Sequence, residues 1–123
     1  MEKILEETFD RIDHRQTRGG SSISGISSGY PDLDEVTAGF QNSEMIIIAA
    51  RPSVGKTAFA LNLARNAAMH PTKPTAVAFF SLEMSTSQLV QRILSAESEI
   101  WLEKISRGRM EDHEMKQLYK KGI

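Results

Sequence analysis

A short apolar, β-branched run, Met45-Ile46-Ile47-Ile48-Ala49-Ala50, leads directly into Arg51-Pro52-Ser53-Val54-Gly55-Lys56-Thr57 and then into residues at helical spacing. No other feature constrains the chain as much. The run has the length and composition of a strand buried on both faces. Beyond Thr57, the residues Ala60, Leu61, Ala64, Ala67 and Ala68 recur with a helical period that Pro71 and Pro74 end. A turn of this composition between a strand and a helix reads as a phosphate-binding loop. Its backbone N–H groups can curl round a phosphate at the positive end of the new helix, Lys56 adds a full charge, and the Thr57 hydroxyl can hold Mg²⁺. The expected nucleotide contacts are therefore Ser53, Val54, Gly55, Lys56, Thr57 and Ala58, and the expected ligand is a nucleoside triphosphate. Ala50 stands where the general G-x-x-x-x-G-K-[ST] pattern has its first glycine. That position shapes the exit from the strand, where a small residue serves, whereas Gly55 has the tighter backbone requirement. The competing reading is an ordinary strand-to-helix turn that contains Gly-Lys-Thr by chance.

Composition narrows the remaining classes. At 123 residues the chain fits about one domain. It has no cysteine, which excludes disulfides and thiolate metal sites and agrees with a reducing cytosol. No run approaches the roughly 18 apolar residues of a membrane span, and the N-terminus is charged and amphipathic, unlike a secretory signal. A cytoplasmic protein with no membrane partner is expected. The formal charge of −1 supplies no strong field for nucleic acid, so DNA binding cannot be argued from composition. His14, His70 and His113 are scattered without ligand partners at short spacing and read as solvated residues.

A second apolar run, Thr75-Ala76-Val77-Ala78-Phe79-Phe80-Ser81, completes a strand, helix, strand unit of the kind that closes right-handed. The fold class expected is α/β with a parallel sheet. Ligands in such sheets bind at the carboxyl ends of the strands, the edge where both the loop and Glu83 should emerge. There Glu83 could orient the water that attacks a γ-phosphate and accept its proton, or it could simply be a partner of a helix dipole. Past it, Ser85 and Gln88 have capping-box spacing, with Leu89, Val90, Ile93 and Leu94 on one face of the helix they open. Ile100, Trp101, Leu102 and Ile105 predict a short helix, Ser106-Arg107-Gly108-Arg109 a break, and Met115, Leu118 and Tyr119 a last helix.

At the other end, Ile4, Leu5, Phe9 and Ile12 form one narrow apolar stripe. Acids crowd its start, Arg11, Arg15 and Arg18 its end, and Gly19-Gly20 stop it. This divides the chain into an amphipathic helix over residues 1–19, a flexible Ser/Gly connector over 20–28 and a body over 29–123. The body opens on Gly29-Tyr30-Pro31-Asp32-Leu33-Asp34-Glu35, which reads as a turn into a short helix. The apolar stripe before it must be covered, either by its own domain or by a neighbouring subunit.

Taken together, Gly25-Ile26-Ser27-Ser28-Gly29-Tyr30, Leu33-Asp34, Thr37-Ala38-Gly39-Phe40, the loop with Ala58-Phe59-Ala60, and Phe80-Ser81-Leu82-Glu83-Met84-Ser85 resemble the DnaB family of bacterial and phage replicative DNA helicases. Ala50 fits, since that family commonly has alanine there. Ile105-Ser106-Arg107-Gly108-Arg109-Met110 resembles the segment that follows. The resemblance implies a RecA-like motor domain, a hexameric ring of identical subunits round single-stranded DNA, and ATP with Mg²⁺ at each subunit interface. Lys56 and Thr57 would hold the β- and γ-phosphates and Mg²⁺, and Glu83 would be the catalytic glutamate. Residues 1–19 would match the linker helix that docks on the adjacent motor domain. Arg51, inside the loop, is not an arginine-finger candidate.

Against that family the chain stops early. A second Mg²⁺-positioning acid, a glutamine sensor, DNA-contacting loops, an arginine finger and the N-terminal domain that recruits primase and loader have no counterpart here. The chain is therefore expected to be a fragment whose RecA-like parallel sheet, flanked by helices, is incomplete. The two strands present would lack the neighbours that set Glu83 against Lys56, and apolar strand edges would be exposed. Helicase activity is expected of the intact protein, with the fragment itself inactive. Two other readings are a RecA-like recombination or repair ATPase, distinguished by strand pairing in place of fork unwinding, and a truncated non-catalytic module that docks on a helicase ring.

Overall fold

The structure, a computed structural model, describes residues 1–17 and 23–122. Arg18, Gly19, the connector residues Gly20, Ser21 and Ser22, and Ile123 lie outside the described residues, as do the side chains of His14, Arg15, Gln16 and Thr17. Among the described residues six helices follow in order: α1 Glu2–Thr17, α2 Pro31–Thr37, α3 Lys56–Ala68, α4 Thr86–Ser98, α5 Leu102–Arg107 and α6 Asp112–Gly122. Every helix expected from the sequence forms.

The sheet does not form among the described residues. Their β pairing is limited to an isolated antiparallel bridge between Ile26 and Phe40. The two runs expected as buried parallel strands, 45–50 and 75–81, carry no ladder, and Met45, Ile47 and Phe80 are 84%, 75% and 93% exposed. A parallel strand is stable where neighbours satisfy its N–H and C=O groups on both sides and helices cover its faces. No described segment supplies those neighbours.

The chain divides into two compact units, Met1–Ile47 with Asn66–Ala76 and Ile48–Arg65 with Val77–Ile123. In the first, Asp34 organises a turn. Its carboxylate is 5% exposed and accepts the Ser27 hydroxyl at 2.6 Å and the Ser28 N–H at 2.8 Å. Pro31 starts α2 with φ preset for a first turn, and Ala38 ends it in the left-handed region, donating its N–H to Asp34 O. Asn66 Nδ2 donates to Ser28 O at 3.0 Å, beside Gly29, where φ is +79° and a Cβ would fall 2.3 Å from that amide nitrogen. Ser27 and Ser28, composed like a loose connector, are thus held by a buried acid several residues on. In the same unit the α1 stripe of Ile4, Leu5, Phe9 and Ile12 is exposed.

In the second unit Leu61 and Leu63 of α3 and Ile100 after α4 are buried. Helix α4 packs on α5 and α6. The capping box at its start forms in full: Ser85 Oγ accepts the Gln88 N–H, and the Gln88 side chain accepts the Ser85 N–H. At its other end Ser98, buried, donates its hydroxyl to Leu94 O at 2.6 Å, and its carbonyl accepts Gln117 Nε2 of α6 at 2.7 Å. Lys104 of α5 pairs with Glu114 of α6 at 2.5 Å, and Arg65 of α3 pairs with Glu97 of α4. The Ser98 carbonyl and the two charge pairs therefore link α4 to α6, α5 to α6 and α3 to α4.

Candidate functional site

The second unit holds the loop singled out by the sequence. Residues 52–54 turn, Ser53 and Gly55 lie at φ +65° and +102°, and α3 begins at Lys56. An added Cβ on Gly55 would meet open space, so its requirement is conformational: a φ that side-chain-bearing residues rarely adopt. Val54 N–H donates to Arg51 O at 3.4 Å, and Phe59 N–H donates to Gly55 O at 2.9 Å. Between those two, the amides of Gly55, Lys56, Thr57 and Ala58 have no backbone partner among the described residues. They sit at the start of a 13-residue helix, where orphan N–H groups and the helix dipole favour an anion.

These residues open onto a cavity of about 530 Å³. Ala50, Arg51, Pro52, Ser53, Gly55, Lys56, Thr57 and Ala58 line it together with Glu83, Met84 and Arg92. The volume falls within the range of about 300–1,000 Å³ typical of small-molecule sites. Of the residues expected to contact nucleotide, Val54 alone does not line it; its side chain is exposed. Glu83 and Lys56 share the cavity although no strand frames them. Ser81 Oγ accepts the Met84 N–H at 3.1 Å, which shapes the turn carrying Glu83. Three lining cations, Arg51, Lys56 and Arg92, outnumber the one carboxylate, so the cavity favours a polyanion.

Thr57 is half-buried, and its hydroxyl makes no hydrogen bond among the described residues. A free hydroxyl beside a phosphate cradle is a hard oxygen donor of the sort Mg²⁺ takes alongside phosphate oxygens. No group of three or more His, Cys, Asp or Glu is placed to hold a metal by itself among the described residues, so a cation here would depend on oxygens brought by the ligand.

Sequence reasoning missed Arg92. The available signal was its register: it lies seven residues after the Ser85 cap, two helical turns along the same face, so a helix starting beside the site returns that face to it.

Gly55 at positive φ is followed by Lys56 and Thr57 at a helix start, and Glu83 lines the same cavity. Residues 25–122 match the DnaB-like helicase C-terminal domain, and the chain belongs to that family. It is 49% identical over 110 residues to the replicative DNA helicase DnaB of Geobacillus stearothermophilus, covering 89% of this chain and 24% of that protein. It is 46% identical over 114 residues to the replicative DNA helicase DnaC of Bacillus subtilis (strain 168), covering 93% and 24%. Among solved structures, one described as an ATPase domain superposes with a TM-score of 0.82 at 30% identity, covering 94% of this chain and 40% of that one. The chain thus spans about a quarter of the length of the curated relatives it matches. Among the described residues no helix is long and apolar enough to cross a membrane.

Proposed function

We propose that this chain is the nucleotide-binding part of an ATP-driven replicative DNA helicase motor. The observation that carries the reading is the meeting of Lys56, Thr57 and Glu83 on one cavity at the start of α3. In this reading the amides from Gly55 to Ala58 wrap the β-phosphate, and Lys56 bridges the β- and γ-phosphates. Thr57 would hold Mg²⁺ through its hydroxyl, and the cation would offset phosphate charge. Glu83 orients the attacking water and accepts its proton. Ser53 and Val54 shape the bend.

We extend this reading to the intact protein. Residues 1–19 act as a linker helix whose exposed stripe docks on a neighbouring subunit, residues 20–28 connect it, and residues 29–123 form the first part of a RecA-like domain whose parallel sheet is completed by further strands. The intact protein is a cytoplasmic hexamer that couples hydrolysis to translocation on single-stranded DNA, and it works with a primase and a loader.

Titrating the chain with a fluorescent ATP analogue in Mg²⁺ tests the site. Lys56→Ala is expected to weaken binding by roughly ten- to a hundredfold, the scale of one charge-assisted hydrogen bond. Unchanged affinity in a folded Lys56→Ala protein would overturn the assignment.

A further inference from the structure

Three cationic side chains of the second unit are half-buried: Arg65, Arg92 and Lys104. Arg65 pairs with Glu97, and Lys104 pairs with Glu114. Arg92 has no carboxylate partner and makes no hydrogen bond among the described residues, yet it lines the same cavity as the phosphate loop. Withdrawing a guanidinium partly from water without a partner is unfavourable, so the arrangement calls for an anion supplied from outside.

Position along α4 indicates which part of a ligand this would be. Glu83 and Met84 precede the Ser85 cap, Arg92 comes two turns later, and all three line the cavity. The amides at the start of α3 and Lys56 take the phosphate nearest the loop. Arg92 lines the cavity together with Glu83, which in the reading above faces the terminal phosphate. We infer that Arg92 is a phosphate-binding residue that holds the γ-phosphate of the bound nucleotide through its forked N–H donors, and so lets α4 distinguish triphosphate from diphosphate. Helix α4 also carries Glu97, which pairs with α3, and it packs on α5 and α6. Loss of the terminal phosphate would therefore be felt first by the helix that organises this unit. The inference rests on the nucleotide reading of the cavity.

The test compares ATP and ADP affinities in Mg²⁺ for the unaltered chain, Arg92→Gln, Arg92→Lys and Lys56→Ala, with far-ultraviolet circular dichroism establishing that each is folded. Gln keeps much of the aliphatic stem while removing the charge, and Lys keeps the charge without the fork. Arg92→Gln is expected to weaken ATP binding about tenfold or more while leaving ADP within about twofold. Arg92→Lys should recover part of the ATP affinity, whereas Lys56→Ala should weaken both nucleotides. Equal losses for ATP and ADP in Arg92→Gln, or no loss for either, would overturn the role of Arg92 while Lys56→Ala still supports the site. If Lys56→Ala binds both nucleotides as well as the unaltered chain does, the nucleotide reading itself fails, and this inference fails with it.

Discussion

Asp34 stays ionised in a nearly closed pocket, which requires more than its charge. Burial pushes its pKa up, but hydrogen bonds from Ser27, Ser28 and Gly29 outweigh that and hold the carboxyl below its ordinary value of 3.8. A group whose folded pKa is depressed stabilises the fold above its unfolded value, and that contribution is lost as pH falls through the folded value. Asp34→Ala is expected to lower stability in urea unfolding at neutral pH by about 1–3 kcal/mol, because the buried Ser28 N–H loses its acceptor. Asp34→Asn should flatten the part of the stability profile that declines below pH 3.8. An unaltered urea midpoint in Asp34→Ala would show that the turn holds without its acid.

At the scale of elements, the start of α4 is set by local chemistry. Ser85 and Gln88 satisfy each other's backbone donors at the start of α4, so Ser85→Ala should cost about 1 kcal/mol, read as a lower urea midpoint. A change within error would mean that packing on α5 and α6 sets this end. All six helices were legible in the sequence because caps, prolines and helical periods are short-range signals. The strands were not realised for the opposite reason. Runs 45–50 and 75–81 have strand composition, but a ladder depends on partners far along a chain, and no described residue pairs with them. The grip of Asp34 on Ser27 and Ser28 was hidden likewise, since serine and glycine spacing reads as looseness until the acceptor is seen. The candidate site was legible as far as contiguous residues carry it. Lys56, Thr57 and Glu83 follow from motif and strand order, whereas Arg92 becomes visible once α4 is known to start beside the cavity.

For the molecule as a whole, the distribution of apolar surface matches a part made to be covered. Met45, Ile46 and Ile47 in one unit and Phe80 and Leu82 in the other are exposed, and burying such side chains is worth about 1.5–3 kcal/mol each. The central claim nonetheless concerns six contiguous residues and needs no further sequence. It is tested most directly by following backbone amide resonances of the isotopically labelled chain as ATP is added in Mg²⁺. The expected result is saturable movement of the Gly55, Lys56, Thr57 and Ala58 amides, abolished in Lys56→Ala. Saturating shifts elsewhere with those four amides unmoved, or no shifts at all at millimolar ATP, would contradict the account.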